Sequence, residues 1–292
     1  MPTVSILSIQ SLVAYGHAGN SAAVFPLQRL GKVVWPVMTV HFSNHTGYGD
    51  WKGPLLSSSD VADVITGVED RGAFEHCEAV LSGYQGAEDV GGVILDAVRR
   101  VKAKSPAAIY CCDPVMGDVG RGMFVRPGIP EFMRDQVVPA ADVVTPNHFE
   151  LDFLAGTTTG TVAELLEAVA AVRASGPSTV LVTSVILEDT PEDALDMVAV
   201  GDGEAWRVRF PRLSVSPPGA GDLTASVFLA NLLDGHTLAD ALARTASSVF
   251  AVVFATAEAG EREMRIVQTQ DALANPRSEF EVHPLNPDSS AS

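Results

Sequence analysis

Pro217-Pro218-Gly219-Ala220-Gly221-Asp222-Leu223-Thr224 is the stretch of this sequence that carries the most information about its fold. Proline donates no backbone hydrogen bond, so the two prolines predict that a strand ending near Ser216 stops there. The two glycines allow a tight turn and a close approach of the backbone to a ligand. The apolar run over 223–233 then predicts a helix that opens at Asp222.

The start of this predicted helix is a candidate phosphate site. Its free backbone N–H groups and the positive end of its dipole favour an anion. A carboxylate at the same place, Asp222, suits a different task, which is to take a proton from a substrate hydroxyl that attacks a phosphate. Gly-x-Gly-Asp alone is a weak motif, because Asp is also an ordinary N-cap residue. Evidence from the rest of the chain is needed to distinguish a catalytic base from an ordinary N-cap residue.

Composition excludes some classes of partner. The chain has 292 residues, of which 47% are hydrophobic, and a formal net charge of −17. This charge disfavours a nucleic-acid groove or an anionic membrane surface, since either needs clustered Lys and Arg. The apolar stretch 249–257 is too short to span a bilayer, and 1–4 lacks the pattern of a signal peptide. We therefore expect neither nucleic acid nor membrane as a partner.

The three cysteines, Cys77, Cys111 and Cys112, bear on the compartment. Their number is odd and no CxxC spacing occurs, which favours buried free thiols over disulfides. This cysteine usage predicts a reducing, cytoplasmic location.

Apolar segments alternate between strand and helix patterns along the chain. Strands are predicted at 4–9, 32–40, 79–82, 107–112, 143–145 and 179–182, with a hairpin of 196–200 and 205–210. Helices are predicted at 22–30, 57–68, 87–103, 162–174, 222–233 and 238–257. This alternation predicts an α/β fold, a doubly wound, mostly parallel sheet with helices on both faces. We expect a single domain over 1–283, without a separate lid, followed by a disordered tail over 284–292.

Polar residues follow the ends of these predicted strands. In an open parallel sheet, ligands bind beyond the carboxyl ends of the strands. The residues predicted to gather there are Ser11, Thr46, Tyr84, Asp113, Asn147, Glu150, Thr183 and Asp222.

Seven collinear blocks between about residues 4 and 280 resemble the pyridoxal kinases, which are members of the ribokinase-like superfamily. The blocks begin with Ser8-Ile9-Gln10-Ser11, Gly16-His17-Ala18-Gly19-Asn20-Ser21-Ala22-Ala23 and Val40-His41-Phe42-Ser43-Asn44-His45-Thr46-Gly47-Tyr48. They continue with Leu81-Ser82-Gly83-Tyr84, Cys112-Asp113-Pro114-Val115-Met116-Gly117-Asp118, Thr145-Pro146-Asn147-x-x-Glu150 and Gly219-Ala220-Gly221-Asp222.

This resemblance implies ATP-dependent phosphorylation of the 5′-hydroxyl of pyridoxal to pyridoxal 5′-phosphate, the reaction of vitamin B6 salvage. It also implies a homodimer that uses Mg²⁺ and, in many relatives, a monovalent cation such as K⁺. Two positions depart from the pattern of some relatives: Ala220 stands where they carry Thr, and Thr183 where some carry Lys. The first departure removes a hydroxyl that could contact phosphate but leaves the backbone amides in place.

The resemblance also implies a role for each matching residue. Asp222 is the expected catalytic base, with the backbone of Gly219, Ala220 and Gly221 around the transferred phosphoryl group. The expected substrate-binding residues are Ser11, Thr46, Gly47, Tyr84 and Asp222. The expected nucleotide-binding residues are Asp113, Asp118, Thr145, Asn147, Glu150, Thr183, Ser184, Gly219 and Gly221. Asp113 and Glu150 are the expected metal ligands, because acidic residues beside ATP require intervening cations.

Two other functions remain open at this point. A kinase for another ring alcohol, such as hydroxymethylpyrimidine, would use the same scaffold, although the 42–46 block favours pyridoxal. A non-catalytic protein that binds vitamin B6 or nucleotide would need the pocket but not Asp222. The segment 119–125, which contains two glycines, is a candidate flap over the substrate.

Overall fold

Nine strands form one mixed sheet in the computed structural model, which describes residues 4–276 and 280–285. A two-stranded hairpin lies outside this sheet. The strands are β1 (Ser5–Val13), β2 (Val33–Phe42), β3 (Ala79–Ser82), β4 (Ile109–Cys112), β5 (Gly117–Asp118), β6 (Gly122–Met123), β7 (Val143–Val144), β8 (Thr179–Val185), β9 (Ala194–Gly201), β10 (Glu204–Pro211) and β11 (Val282–Pro284).

Helices connect most of the parallel strands. They are α1 (Asn20–Arg29), α2 (Ser58–Glu69), α3 (Glu88–Lys104), α4 (Ile129–Phe132), α5 (Val138–Ala140), α6 (His148–Ala155), α7 (Val162–Ser175), α8 (Ala220–Leu233), α9 (Leu238–Glu258) and α10 (Gln270–Ala274). Two short 3₁₀ turns at Thr46–Tyr48 and Ala73–His76 and a π turn at Met133–Val137 complete the helical structure of the described residues.

The strand order in the sheet is β11-β10-β9-β8-β7-β4-β3-β1-β2. Pairing is parallel from β2 through β8 and antiparallel from β8 to β11. The predicted doubly wound, mostly parallel α/β fold is therefore confirmed. The chain places β2 on one side of β1 and β3 on the other, so the strand order reverses at β1, and ligands gather beyond the carboxyl ends of such strands.

Side-chain alternation along the strands explains why helices cover both faces of the sheet. Leu7 and Ile9 of β1 belong to the core cluster that packs with α2, α3, α6 and α7. Ile6, on the opposite face, belongs to the cluster that packs with α1, α8 and α9. Because successive strand residues point to opposite faces, a continuous apolar strand needs cover on both sides.

The turn before α8 differs from its sequence prediction at two points. Strand β10 ends at Pro211, not near Ser216. Helix α8 begins at Ala220, two residues before the predicted start, because Gly219 adopts a left-handed backbone (φ 83°) and serves as the N-cap residue. Asp222 therefore lies inside the first helical turn and is not the residue that opens it.

The C-terminal end of the described chain also differs from its prediction. Pro284 pairs with Trp206 as the last residue of β11, and the Leu285 N–H donates to the Ala205 carbonyl at 2.8 Å. These two residues, predicted to begin a tail, belong to the edge of the sheet. The rest of that predicted tail, 286–292, lies outside the described residues.

Two features of the structure, helix α9 and the three cysteines, relate to the predicted cytoplasmic location. Among the described residues, α9 is the one helix that is long and apolar enough to cross a membrane, and 50% of its most apolar window is buried within the protein. The apolar stretch recognised in the sequence, 249–257, is only part of this longer apolar helix. Cys77, Cys111 and Cys112 are buried free thiols, as predicted.

Candidate active site

The carboxyl ends of the parallel strands bring several of the predicted site residues to one edge of the sheet. Ser11 lies near the end of β1, Asp113 follows β4, Thr145 follows β7, and Thr183 lies near the end of β8. The first turn of α8, which carries Asp222, lies against this edge. The ideal Cβ position of Gly221 is 3.8 Å from the Asp113 Oδ2.

Asp222 is held at this edge by a glycine of the loop before α1. The Gly19 N–H donates to the Asp222 Oδ2 at 2.8 Å. Burial raises the pKa of Asp222 from 3.8 to about 6, although this hydrogen bond lowers it. The side chain keeps part of its surface exposed. A half-buried carboxylate with a pKa in this range is mostly ionised at neutral pH and is a better proton acceptor than an ordinary Asp.

Ser11 lies directly beside Gly19. An ideal Cβ on Gly19 would be 2.2 Å from both the carbonyl oxygen and the hydroxyl of Ser11, so only glycine fits this contact. The register between β1 and β2 shifts at Ser11, between Gln10 and Leu12. Such bulges are frequent next to active sites, where they redirect side chains. The predicted substrate-binding hydroxyl and the predicted base thus contact the same glycine.

Asp113 and Glu150 form a buried acidic group with Asp222. Burial, followed by the charges of Asp222 and Glu150, raises the pKa of Asp113 well above its ordinary value. Burial raises the pKa of Glu150 to about 8. Among the described residues, no Lys, Arg or His side chain forms a salt bridge with any of the three. The Thr145 hydroxyl, buried at the same edge, lies beside the Asp113 carboxylate and lowers its pKa, which opposes the effect of burial.

Glu150 and Asn147 form the cap of α6. The Asn147 Oδ1 accepts from the Glu150 N–H at 2.9 Å, and the Glu150 Oε2 accepts from the Asn147 N–H at 2.9 Å. The Glu150 Oε1 accepts from the N–H groups of Met116 and Gly117 at 2.8 and 3.3 Å. Both carboxylate oxygens are therefore engaged by the backbone. Oε1 already accepts two hydrogen bonds, whereas Oε2 accepts one and retains a lone pair for a further partner.

The structure contains a partial match to the predicted metal site. Within the described ranges, no group of three or more His, Cys, Asp or Glu side chains is arranged to hold a metal ion. Mg²⁺, however, is often held by one or two carboxylates together with water and phosphate oxygens. Buried Asp113 and Glu150, which have no salt-bridge partner among the described residues, and the Thr145 hydroxyl beside Asp113 fit such a site.

Asp118 lies on the hairpin of β5 and β6, which overlaps the flap predicted over 119–125. Its Oδ1 accepts from the Val119 N–H at 2.7 Å, and its charge contributes to the raised pKa of Glu150. Val119 is 69% exposed, and the neighbouring Phe124 is 42% exposed. These apolar side chains at the edge of the acidic site are available to contact a ligand.

Thr183 and Ser184 lie near the end of β8, beside Asn147. Thr183 forms an isolated parallel bridge with Asn147. Ser184 is the one non-glycine residue with positive φ (54°) in the described part of the chain. Such backbone strain is concentrated at ligand sites, which agrees with the predicted nucleotide contact.

The remaining predicted substrate residues lie near the ends of β2 and β3. Thr46 and Gly47 form a 3₁₀ turn capped by His45, whose Nδ1 accepts from the Gly47 N–H at 3.1 Å. The half-buried ring of Tyr84 packs on a small apolar cluster that includes Val40. Burial raises the pKa of Tyr84, so its hydroxyl remains protonated at neutral pH.

Three residues at this site were not assigned a role from the sequence. Gly19 supplies the N–H to Asp222, Asn20 lies in a buried network with Ser8, and Glu263 bridges two loops. Gly19 and Asn20 lie inside a block that resembles the pyridoxal kinases, so that block pointed to their region but not to their contacts. Glu263 had no signal in the sequence, because its partner His17 is 246 residues away.

Comparisons with known proteins agree with this architecture. Residues 83–266 match the family model described as phosphomethylpyrimidine kinase. The chain is 55% identical to pyridoxal kinase PdxY of Leifsonia xyli subsp. xyli, covering 96% of this chain and 99% of that protein. It is 53% identical to pyridoxal kinase PdxY of Corynebacterium diphtheriae, covering 97% and 100%.

A solved structure is similar over nearly the whole length of the chain. Pyridoxal kinase from Leishmania donovani in complex with ADP and pyridoxamine superposes with a TM-score of 0.90 at 29% identity, covering 97% of this chain and 99% of that one. The resemblance stated from the sequence blocks is therefore confirmed. The chain belongs to the phosphomethylpyrimidine kinase family and, within it, to the pyridoxal kinases named PdxY.

Proposed function

We propose that the chain is an ATP-dependent pyridoxal kinase, which transfers the γ-phosphoryl group of ATP to the 5′-hydroxyl of pyridoxal. The observation that carries this proposal is the position of Asp222, half-buried in the first turn of α8 and bonded to the Gly19 N–H at 2.8 Å. The identities above 50% to pyridoxal kinases over nearly the full chain support the choice of substrate. The Leishmania donovani relative binds ADP, which supports ATP as the co-substrate.

Asp222 acts as the general base. Its Oδ2 is fixed by Gly19, and the neighbouring Ser11 hydroxyl orients the incoming alcohol. As the substrate oxygen attacks the γ-phosphorus, its proton passes to the Asp222 carboxylate, and the bond from phosphorus to the β-phosphate oxygen breaks. Such a positioned base contributes roughly 10²–10⁴-fold to the rate.

The first turn of α8 stabilises the transferred phosphoryl group. Gly219 makes no side-chain cap, so no N-cap side chain occupies the N–H groups of the first turn. The Ala220 N–H has only a long hydrogen bond of 3.4 Å, to the Pro217 carbonyl. Charge that develops on the phosphoryl oxygens is stabilised by these amides and by the positive end of the helix dipole. Ala220 contributes its amide alone, because it lacks the hydroxyl that some relatives carry at this position.

The acidic group fits a magnesium ion bound with the nucleotide. Asp113 and Glu150 would hold it, directly or through water, and Asp118 would add negative charge nearby. When bound, the ion supplies charge neutralisation for the phosphates. The proposed monovalent cation rests on the resemblance to the family, as do the nucleotide contacts of Thr145, Asn147, Thr183 and Ser184.

A second candidate function is phosphorylation of a hydroxymethylpyrimidine. The observation in its favour is the family model itself, which is described as phosphomethylpyrimidine kinase and matches 83–266. The third possibility, a non-catalytic binding protein, does not explain why a carboxylate with a raised pKa is held against the turn that receives the phosphoryl group.

The test is to incubate the purified protein with Mg-ATP and follow product formation from pyridoxal, pyridoxine, pyridoxamine and hydroxymethylpyrimidine. Asp222→Asn is measured alongside, with Asp63→Asn on the exposed surface of α2 as the matched control. We expect turnover of pyridoxal that falls at least about 100-fold in Asp222→Asn and is unchanged in Asp63→Asn. Turnover of the pyrimidine alone would select the second function, and full activity of Asp222→Asn would refute the mechanism.

The assembly and location of the protein are proposed on the same basis. We infer a cytoplasmic homodimer of a single catalytic domain, predicted over 1–283 and extended by Pro284 and Leu285 at the edge of the sheet. The three buried free thiols support the cytoplasmic location. Sedimentation equilibrium tests the homodimer, since a monomer of 30.7 kDa at micromolar concentration would contradict it.

A further inference from the structure

The segment that follows α9 connects the two loops of the proposed substrate site. The Glu263 Oε1 accepts from the Tyr48 hydroxyl at 2.6 Å. The Glu263 Oε2 accepts from the His17 N–H at 2.9 Å. A single carboxylate therefore joins the 3₁₀ turn Thr46–Tyr48 to the loop between β1 and α1, two elements that are separate in the sequence.

Arg262 reinforces the first of these connections. Its guanidinium carbon is 3.7 Å from the centre of the Tyr48 ring, and its Nη2 donates to the Gly47 carbonyl. The hydrogen bond to Glu263 raises the pKa of Tyr48 to about 12, so the phenol donates at every physiological pH. The turn that carries Thr46 and Gly47 is thus held by its backbone and by its aromatic side chain.

The same segment is anchored on the helix that carries Asp222. Met264 and Ile266 are 2% and 0% exposed, in a core cluster with Leu223 and Val227 of α8. The Arg265 N–H donates to the Thr256 hydroxyl of α9 at 3.0 Å. The position of Glu263 relative to α8 is therefore set by core packing and not by the surface loops that it binds.

Two glycines allow these segments to approach closely. An ideal Cβ on Gly16 would be 2.0 Å from the Glu263 Oε2, and one on Gly219 would be 2.1 Å from the His17 carbonyl oxygen. Both glycines have positive φ, of 84° and 83°. Any side chain at either position would separate Glu263 or the catalytic turn from the loop that supplies the Gly19 N–H.

We propose that Glu263 is a positioning residue for the acceptor substrate: it sets the loop of Thr46 and Gly47 at a fixed distance from Asp222. This inference rests on the proposed kinase function and adds a residue to which no role in the site was assigned. Glu263 acts through Tyr48 and His17, so its loss affects the binding and alignment of pyridoxal and leaves the nucleotide side intact.

The test uses Glu263→Gln and Tyr48→Phe, with Glu258→Gln at the exposed end of α9 as the matched control. Removing a hydrogen bond to a charged group is expected to raise KM for pyridoxal about tenfold. KM for ATP is expected to stay within about twofold, and the melting temperature is expected to stay unchanged. Because the Gln amide keeps one acceptor oxygen and can donate to the Tyr48 hydroxyl, Glu263→Ala is measured beside Glu263→Gln. The double variant Glu263→Ala/Tyr48→Phe should match Glu263→Ala, because the alanine already removes the bond to Tyr48.

An unchanged KM for pyridoxal in Glu263→Gln and Tyr48→Phe would overturn the proposal. Equal losses in both KM values together with a lower melting temperature would overturn it as well, because that pattern indicates a role in stability alone.

Hydrogen exchange of the unliganded protein separates this inference from the proposed function. Amides of 45–49 and the amide of His17 should exchange faster in Glu263→Gln than in Glu258→Gln. Wild-type protein that phosphorylates no vitamin B6 compound would refute the proposed function and leave this exchange measurement decisive for the loop connection. Unchanged exchange would refute the connection even in an active kinase.

Discussion

The pH dependence of turnover tests the assignment of Asp222 most directly. Burial raises the pKa of Asp222 from 3.8 to about 6. A general base works only when it is deprotonated, and raising its pKa means that it becomes protonated at a higher pH. The rate therefore falls as the pH decreases through about 6, and it is restored above that value.

The size of the effect follows from the two pKa values. With a pKa of about 6, the ionised fraction of Asp222 is about 0.9 at pH 7 and about 0.09 at pH 5, a decrease of roughly tenfold. With the ordinary value of 3.8, the ionised fraction at pH 5 is still about 0.94, and the decrease would be negligible. Burial of the carboxylate thus predicts a rate that is an order of magnitude lower at pH 5 than at pH 7.

The assay is kcat/KM for the acceptor alcohol at saturating Mg-ATP, measured from pH 4.5 to 8.5 in buffers of constant ionic strength. Pyridoxine is measured beside pyridoxal, because a limb that belongs to the enzyme appears with both substrates. The residual activity of Asp222→Asn serves as the control, and its kcat/KM should show no decrease near pH 6.

Two results would refute this reasoning. A rate that stays level down to pH 5 would show that the base is not perturbed by burial. A limb near pH 6 that persists in Asp222→Asn would assign the titration to another group, such as Asp113 or Glu150.

The remaining predictions concern stability and the cation site. Gly219→Ala should reduce turnover at least about 100-fold and destabilise the protein by about 1–3 kcal/mol, because the new Cβ would be 2.1 Å from the His17 carbonyl oxygen. Gly235→Ala is the control: Gly235 also has positive φ, but no atom lies within 4 Å of its ideal Cβ, so this variant should retain activity. Asp196→Ala should lower the free energy of unfolding by about 3 kcal/mol in urea titrations, because Asp196 is fully buried and hydrogen-bonded to Arg209 at 2.7 and 2.9 Å. A loss below about 1 kcal/mol would contradict this prediction. Burial raises the pKa of Glu150 from 4.5 to about 8. The folded state therefore keeps this proton up to about pH 8, whereas the unfolded state loses it from about pH 4.5, and stability falls as pH rises between the two values. Mg²⁺ should therefore raise the melting temperature more at pH 8.5 than at pH 5.5, and Glu150→Gln should abolish that difference; an equal Mg²⁺ effect in wild type and variant would place the cation elsewhere.

Strand and helix type were predictable from local patterns. Leu7 and Ile9 alternate with Ile6 across β1, and the apolar positions of α3 recur at helical spacing, so period and apolar content identify each element. Boundaries were less predictable where glycine and proline occur together. By local pattern alone, Gly219 could end a strand, form a turn or cap a helix. In the structure it is the N-cap residue of α8, at a close contact with the His17 carbonyl that only the tertiary fold creates.

The candidate site was predictable to the level of residue type and strand end. Asp113, Thr145 and Thr183 follow parallel strands, so topology alone brings them to one edge. What Glu150 contacts was not predictable in this way. Its hydrogen bonds to Met116 and Gly117 span more than 30 positions of the sequence, and they depend on how β5 folds back against α6.

The sequence by itself determined the α/β class and the family of the protein and pointed to Asp222 as the proposed base, because periodicity, turn chemistry and motif order are local properties of the chain. Only the tertiary structure decided how Asp222 is held and how the loops of the proposed substrate site are connected. Gly19 reaches Asp222 across 203 positions, and Glu263 reaches His17 across 246. Contacts of this separation are set by the packing of α8 and α9 on the sheet, which no local pattern records.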